Sequence, residues 1–126
     1  MIGGTPRRAV IELFDALDRR DLNRFLSAFC PRATIVHCDG QTTSAARFVR
    51  DLRRSPHPAP LRRRLRGFFG AVAGDWAWLR YHNVPTFASP THALHFVETA
   101  VLRRRDRRWR FQAIHYSHLD LRDDRA

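Results

Sequence analysis

The chain has 126 residues, 23 arginines and no lysine, against 10 aspartates and 2 glutamates, for a formal net charge of +11. That length suits a single domain, 1–126, with a core over about 6–119 and a polar tail at 120–126, and a core of this size needs no metal or disulfide staple. The missing lysine excludes a lysine Schiff base and a P-loop lysine, and no segment approaches the roughly 18 apolar residues of a membrane span.

In chain order, Thr5-Pro6 opens a helix, a hydroxyl cap followed by proline at the first helical position. Val10, Leu13, Phe14 and Leu17 then fall at i, i+3, i+4 and i+7 and form one apolar stripe. Arg19, Arg20 and Asp21 interrupt it. Asp21 caps a second short helix whose stripe is Leu22, Phe25, Leu26 and Phe29, and Pro31 ends it. Residues 33–38, ATIVHC, are β-branched and predict a strand, closed by an Asp39-Gly40 turn. Thr42 or Thr43 caps a third helix with Phe48, Val49 and Leu52 on its apolar side. Three prolines make 55–60 a loop.

Long strands follow. Residues 61–73 form one, with Gly67 and Gly70 as bulge or bend positions. Gly74-Asp75 is a hairpin turn leading to a strand at 76–84. Residues 85–90 are a loop, 92–104 a third strand, 105–107 a turn and 108–119 the last strand. Helices first and an antiparallel meander afterwards predict an α+β fold.

Four strings carry a family resemblance: RRDLNRFLSAFCPRATIVHCDG, GDWAWLRY, FVETAVLRRRDRRW and WRFQAIHYS. In this order, over roughly 7–119, they resemble the nuclear-transport-factor-2-like superfamily, and most of all its SnoaL-like branch, which is also similar to kinase association domains. The resemblance implies a cone-shaped, strongly curved, mostly antiparallel sheet with three N-terminal helices on its concave face. Arg32 departs from the aspartate usual before Ala-Thr, Ala113 from the first of two closing histidines, and Asp106-Arg107 from a turn that usually carries glycine.

The same resemblance implies a pocket between sheet and helices, whose lining follows from alternation. Trp109, Phe111, Ala113, His115 and Ser117 are expected inside on the last strand, Ala77, Leu79 and Tyr81 on 76–84, and His95, Val97, Thr99 and Val101 on 92–104. His37 falls where ketosteroid isomerases of the superfamily carry their general-base aspartate, and a pocket histidine exchanges protons near neutral pH. The tyrosine those isomerases use on the first helix falls here at Leu13. The expected site is therefore His37 as acid/base with Tyr81 and His115, in a pocket lined by Leu13, Phe14, Leu17, Val97, Thr99 and Phe111. A buried histidine satisfied by its neighbours is the competing account of His37. No cofactor and no metal are expected, because there is no paired carboxylate and no zinc-type cysteine spacing. Cys30 and Cys38 read as reduced thiols, and the start of the chain shows no secretory signal, so a cytoplasmic location is expected.

The implied partner is a hydrophobic small molecule, handled by a cofactor-independent cyclase, isomerase or dehydratase of secondary metabolism. Phe96, Ala100 and Leu102 make the third strand apolar on its other face too, which predicts a homodimer through the outer sheet face. A non-catalytic association module is the alternative. The arginines fit a polyanion-binding surface, but their spread along the chain fits a GC-rich coding bias better and argues against nucleic acid.

Overall fold

A computed structural model describes residues 4–88 and 91–119; the polar tail expected at 120–126 lies outside them. Helix α1, Pro6–Asp18, begins as predicted: the Thr5 hydroxyl accepts from the Arg8 N–H at 3.1 Å, and Val10, Leu13 and Phe14 are buried. Asp21 caps α2, Leu22–Ser27, by accepting from the Arg24 N–H at 3.2 Å.

The helix stops at Ser27, earlier than Pro31 demands, and strand β1 runs Phe29–Val36, earlier than 33–38. Pro31 is tolerated because the pairing of β1 with β7, Arg108–His118, shifts register between Phe29 and Thr34, so no regular ladder bond is asked of it. This is the one parallel pairing among the described strands. Thr42 and Thr43 do not cap the third helix. They belong to a short strand, β2, Thr42–Ser44, which forms a hairpin with β1 across Asp39-Gly40. Ser44 takes the cap of α3, Ala45–Arg54, accepting from the Arg47 N–H at 3.0 Å.

Strands β3, Arg62–Ala73, and β4, Trp76–Ala88, meet at the Gly74-Asp75 turn. Gly67, at φ +69°, is a bulge: the register shifts between Arg66 and Phe69. Gly70 keeps the register, and its reason is close approach, since a Cβ there would run into the Trp78 carbonyl oxygen. β4 passes through the expected 85–90 loop as far as Ala88. Pro85 is accommodated because it falls between Asn83, the last residue paired with β6, Phe96–Arg105, and Thr86, the first paired with β5, Thr91–Ala93. The single strand expected over 92–104 is broken at Leu94 and His95 into β5 and β6.

The result is one curved sheet ordered β2-β1-β7-β6-β4-β3, with β5 beside β4 and the helices on one face. This is the α+β cone the resemblance implied. Between the layers Val10, Leu13, Tyr81, Leu102 and Phe111 are fully or almost fully buried.

Two faces differ from the expectation. On β7, Val101 pairs with Ala113 but Leu102 pairs with Phe111, leaving Gln112 as an extra residue. The bulge inverts the alternation, so Trp109 and Phe111 face inward, followed by Ile114 and Tyr116 rather than His115 and Ser117. On β6 the inward set is Phe96, Glu98, Ala100 and Leu102; Thr99 is exposed. Both faces of that strand are apolar apart from one carboxylate, and a lone glutamate makes the inner face look like the outer.

Candidate functional site

A cavity of about 250 Å³ lies between the helices and the concave face of the sheet. Its walls are apolar: Leu13, Phe14 and Leu17 of α1, Phe25 of α2, Phe48 of α3, and Phe96 and Ile114 of the sheet. Glu98, Asn83, Arg63 and Tyr116 are the polar groups that reach it from β3, β4, β6 and β7, with His57 from the α3–β3 loop.

Three of these strands, β3, β4 and β6, share a buried polar chain with the end of α1. The Arg63 guanidinium grips Asp18, at the end of α1, through Nε at 2.9 Å and Nη2 at 2.7 Å, and gives Nη1 to the Asn83 Oδ1 at 2.9 Å. A guanidinium only donates, so the Asn83 amide must turn its Nδ2 toward Glu98, to whose Oε2 it donates at 2.7 Å. Tyr81 donates its hydroxyl to the Glu98 Oε1 at 2.8 Å. Asn83 and Glu98 are 2% and 4% exposed. Burial pushes the Glu98 carboxyl above the usual glutamate value, although the bonds from Asn83 and Tyr81 and the charge of Arg63 pull the other way. Burial, and then the negative charge of Glu98, pushes the Tyr81 hydroxyl well above the usual tyrosine value. A carboxyl held in apolar surroundings with a raised pKa suits proton transfer near neutral pH.

Tyr116 stands directly across the β6–β7 ladder from Glu98 and lines the same cavity. Its hydroxyl lies 2.6 Å from the His37 Nδ1, and the His37 Nε2 lies 2.7 Å from the Thr43 Oγ1. Burial first, and then the nearby Cys38, Glu98 and Asp39 side chains, push the Tyr116 hydroxyl up to about 12. His37 follows the end of β1, stacks at 6.3 Å on Phe48, and opens on its far side into a polar cleft of about 400 Å³ with Asp39, Gln41 and Arg47.

Of the residues predicted from sequence, Leu13, Phe14 and Leu17 line the cavity. His37 reaches it only through Tyr116. Tyr81 is sealed beneath it, against Phe68 and Phe14, and meets Glu98 rather than a ligand. Phe111 is fully buried in the core and outside the cavity lining. Val97 and Thr99 lie on the outer face of β6, and His115, expected beside His37, is exposed across the ladder from Thr99. His95, also expected inside, stands 2.8 Å from His82 instead, ring nitrogen to ring nitrogen. Among the described residues no three His, Cys, Asp or Glu side chains gather as a metal site would.

The sequence reading passed over Glu98, Asn83, Arg63 and Tyr116. One signal was present: Glu98 is one of only two glutamates and stands inside the apolar run FVETAVL.

The fold and site define a small α+β cone whose ligand-sized apolar cavity holds one buried acid. Within that class, the chain belongs to the SnoaL-like domain family, whose profile matches residues 7–120. No curated protein matches it. Among solved structures it is similar to an NTF2-like protein of unknown function from Pseudomonas aeruginosa, at 19% identity and a TM-score of 0.80, covering 90% of this chain and 98% of that one. It is also similar to a provisionally assigned ketosteroid isomerase from Parabacteroides distasonis, at 16% identity and 0.72, over 88% and 86%. A third is the CaMKII hub of S. rosetta, at 18% identity and 0.75, over 94% and 100%. At these identities the likeness establishes the fold alone. No helix among the described residues is long and apolar enough to cross a membrane.

Proposed function

We propose that the chain binds a small, mainly hydrophobic molecule with one oxygen-bearing end, and moves a proton on it without a cofactor, as an isomerase, cyclase or dehydratase does. The observation that carries this reading is Glu98, a carboxyl 4% exposed at the wall of a mainly apolar cavity. Burial raises the proton affinity of its ionised form, as a general base requires. Glu98 takes a proton from a carbon next to the ligand's carbonyl and returns it at another position, while a hydroxyl on the same wall holds the carbonyl oxygen.

That hydroxyl is Tyr116, and His37 sets its direction. With the proton on Nδ1, His37 donates to the Tyr116 oxygen and accepts from Thr43 at Nε2, leaving the Tyr116 O–H free to point at the ligand. His37 is thus a positioning residue that acts through Tyr116, and Tyr81 positions Glu98. The likeness to the provisionally assigned isomerase supports the reading.

The test is a titration with 2-naphthol, an apolar bicycle with one hydroxyl, followed by its fluorescence. Saturable binding is expected, weakened about tenfold in Tyr116→Phe by loss of one buried hydrogen bond and abolished in Leu17→Trp, which fills the cavity. Equal affinity in all three proteins overturns the proposal.

A second reading rests on the outer sheet face. There Phe69, Trp76 and Trp78 are 59%, 44% and 39% exposed, with Arg80 and Arg103 laid over Phe69 and Trp76. An exposed aromatic cluster rimmed by arginine fits an interface with a second copy, and the likeness to the CaMKII hub supports association. Sedimentation is expected to show a homodimer that Trp76→Asp with Trp78→Asp converts to monomer. A monomeric parent protein overturns it.

A further inference from the structure

We propose that a groove on the other side of β1, remote from the cavity's acid, is a binding site for a small phosphate-bearing molecule. The groove measures about 420 Å³ and is bounded by the end of α2, the irregular start of β1, the first turn of α3 and the start of β7. Arg32, Arg108 and Arg110 line it, and no carboxylate does.

What sets these three arginines apart is that they share one groove, since Arg50, Arg54, Arg62, Arg64, Arg66, Arg105 and Arg107 also have neither a carboxylate nor a ring partner among the described residues. Six arginines elsewhere in the described residues are engaged with carboxylates: Arg8, Arg19, Arg24, Arg47, Arg63 and Arg104. Arg80 and Arg103 lie over aromatic rings. Arg32, Arg108 and Arg110 do neither, though the chain that carries them folds Asp106 into the adjoining turn. The Arg110 Nε is moreover the one buried side-chain nitrogen or oxygen among the described residues that has no hydrogen-bond partner. A buried N–H of a permanent cation, left unpaired beside two further guanidinium groups, is a donor set awaiting an acceptor.

Backbone geometry points the same way. Arg32 sits at φ +64°, in the left-handed region that a branchless glycine would occupy more easily, inside the register shift of β1. The bulge re-aims its side chain into the groove, as bulges do beside binding sites. Ala45 and Ala46, in the lining, belong to the first turn of α3, whose N–H groups lack intrahelical acceptors and whose dipole favours negative charge. Guanidinium forks match the oxygens of a phosphate two at a time, and the groove has room for more than the phosphate alone. A phosphomonoester or diphosphate of a small organic molecule fits this chemistry.

Calorimetric titration with inorganic pyrophosphate tests the assignment, with sulfate at equal ionic strength as the arm that separates phosphate recognition from general oxyanion binding. One saturable site is expected for pyrophosphate. Arg32→Gln with Arg108→Gln is expected to weaken it about tenfold or more, while Arg62→Gln with Arg64→Gln, which removes the same charge from the outer sheet face, leaves it unchanged. Arg110→Met provides a second readout: it removes the unpartnered N–H, so it lowers affinity for pyrophosphate and raises the melting temperature in anion-free buffer. Three outcomes overturn the proposal: no saturable site, equal weakening by both arginine pairs, or sulfate bound as tightly as pyrophosphate.

Discussion

Arg63→Met probes the polar chain beneath the cavity. The substitution keeps the aliphatic stem and deletes two bonds to Asp18, one to Asn83, and a guanidinium stacked 4.8 Å over the Phe14 ring. The Asp18 side chain is 27% exposed, so water recovers part of that pair, and its loss is worth about 1 kcal/mol after screening. Asn83 is 2% exposed, and its Oδ1 becomes a buried acceptor without a donor, which costs about 1–2 kcal/mol. The lost cation–π contact adds about 0.5–1 kcal/mol. The expected destabilisation is therefore about 3 kcal/mol near neutral pH, read by urea unfolding with an unchanged m-value, or a fall in Tm of about 10 °C.

The same variant has a pH signature. The Arg63 charge is one of the influences lowering the Glu98 pKa against burial, so its removal raises the folded-state value further. A raised folded-state pKa contributes stability that is fully present below the unfolded value and is lost as pH rises through the folded value. The gap between variant and parent should widen from acid toward neutral pH. A loss below about 1 kcal/mol that does not change with pH would refute a buried, cooperative chain and show instead a solvated surface pair.

Two further expectations concern single groups. The protein has two tyrosines, Tyr81 and Tyr116, and both are held above their ordinary value by burial and nearby negative charge. Absorbance titration should show little tyrosinate through about pH 11, where free tyrosine is mostly ionised; a full tyrosinate step near pH 10 contradicts the buried placement. In the β6–β7 turn, Asp106 and Arg107 both sit at positive φ, 51° and 65°. Arg107→Gly relieves a left-handed conformation disfavoured for side chains and should stabilise by about 1 kcal/mol, measured by urea unfolding; no gain means that the turn is not of this type.

Much of the fold was legible because it is encoded locally. Thr5-Pro6, Asp21 and the stripe through Val10 and Leu13 act within a turn or two of themselves, and Gly74-Asp75 makes its hairpin wherever the strands go. The site was less legible for a specific reason. Period-two alternation assigns a face only until one residue is inserted, and the extra residue at Gln112 is visible only in the pairing of β6 with β7. That single bulge exchanged His115 for Tyr116. On β6 the ambiguity was compositional: with both faces apolar, Glu98 looked like the mark of solvent when it marks the cavity.

By itself, then, the sequence determined the three helices with the caps of the first two, the meander, the family and the apolar stripe of α1 that walls the cavity. Each of these rests on spacing along the chain. Tertiary structure decided which polar groups meet. Asp18, Arg63, Tyr81, Asn83 and Glu98 lie on four elements up to 80 residues apart, and His37 meets Tyr116 only because β1 pairs with β7. Charge neutralisation and hydrogen bonding depend on distance in space, and a buried carboxylate is tolerable only where donors from other strands converge on it.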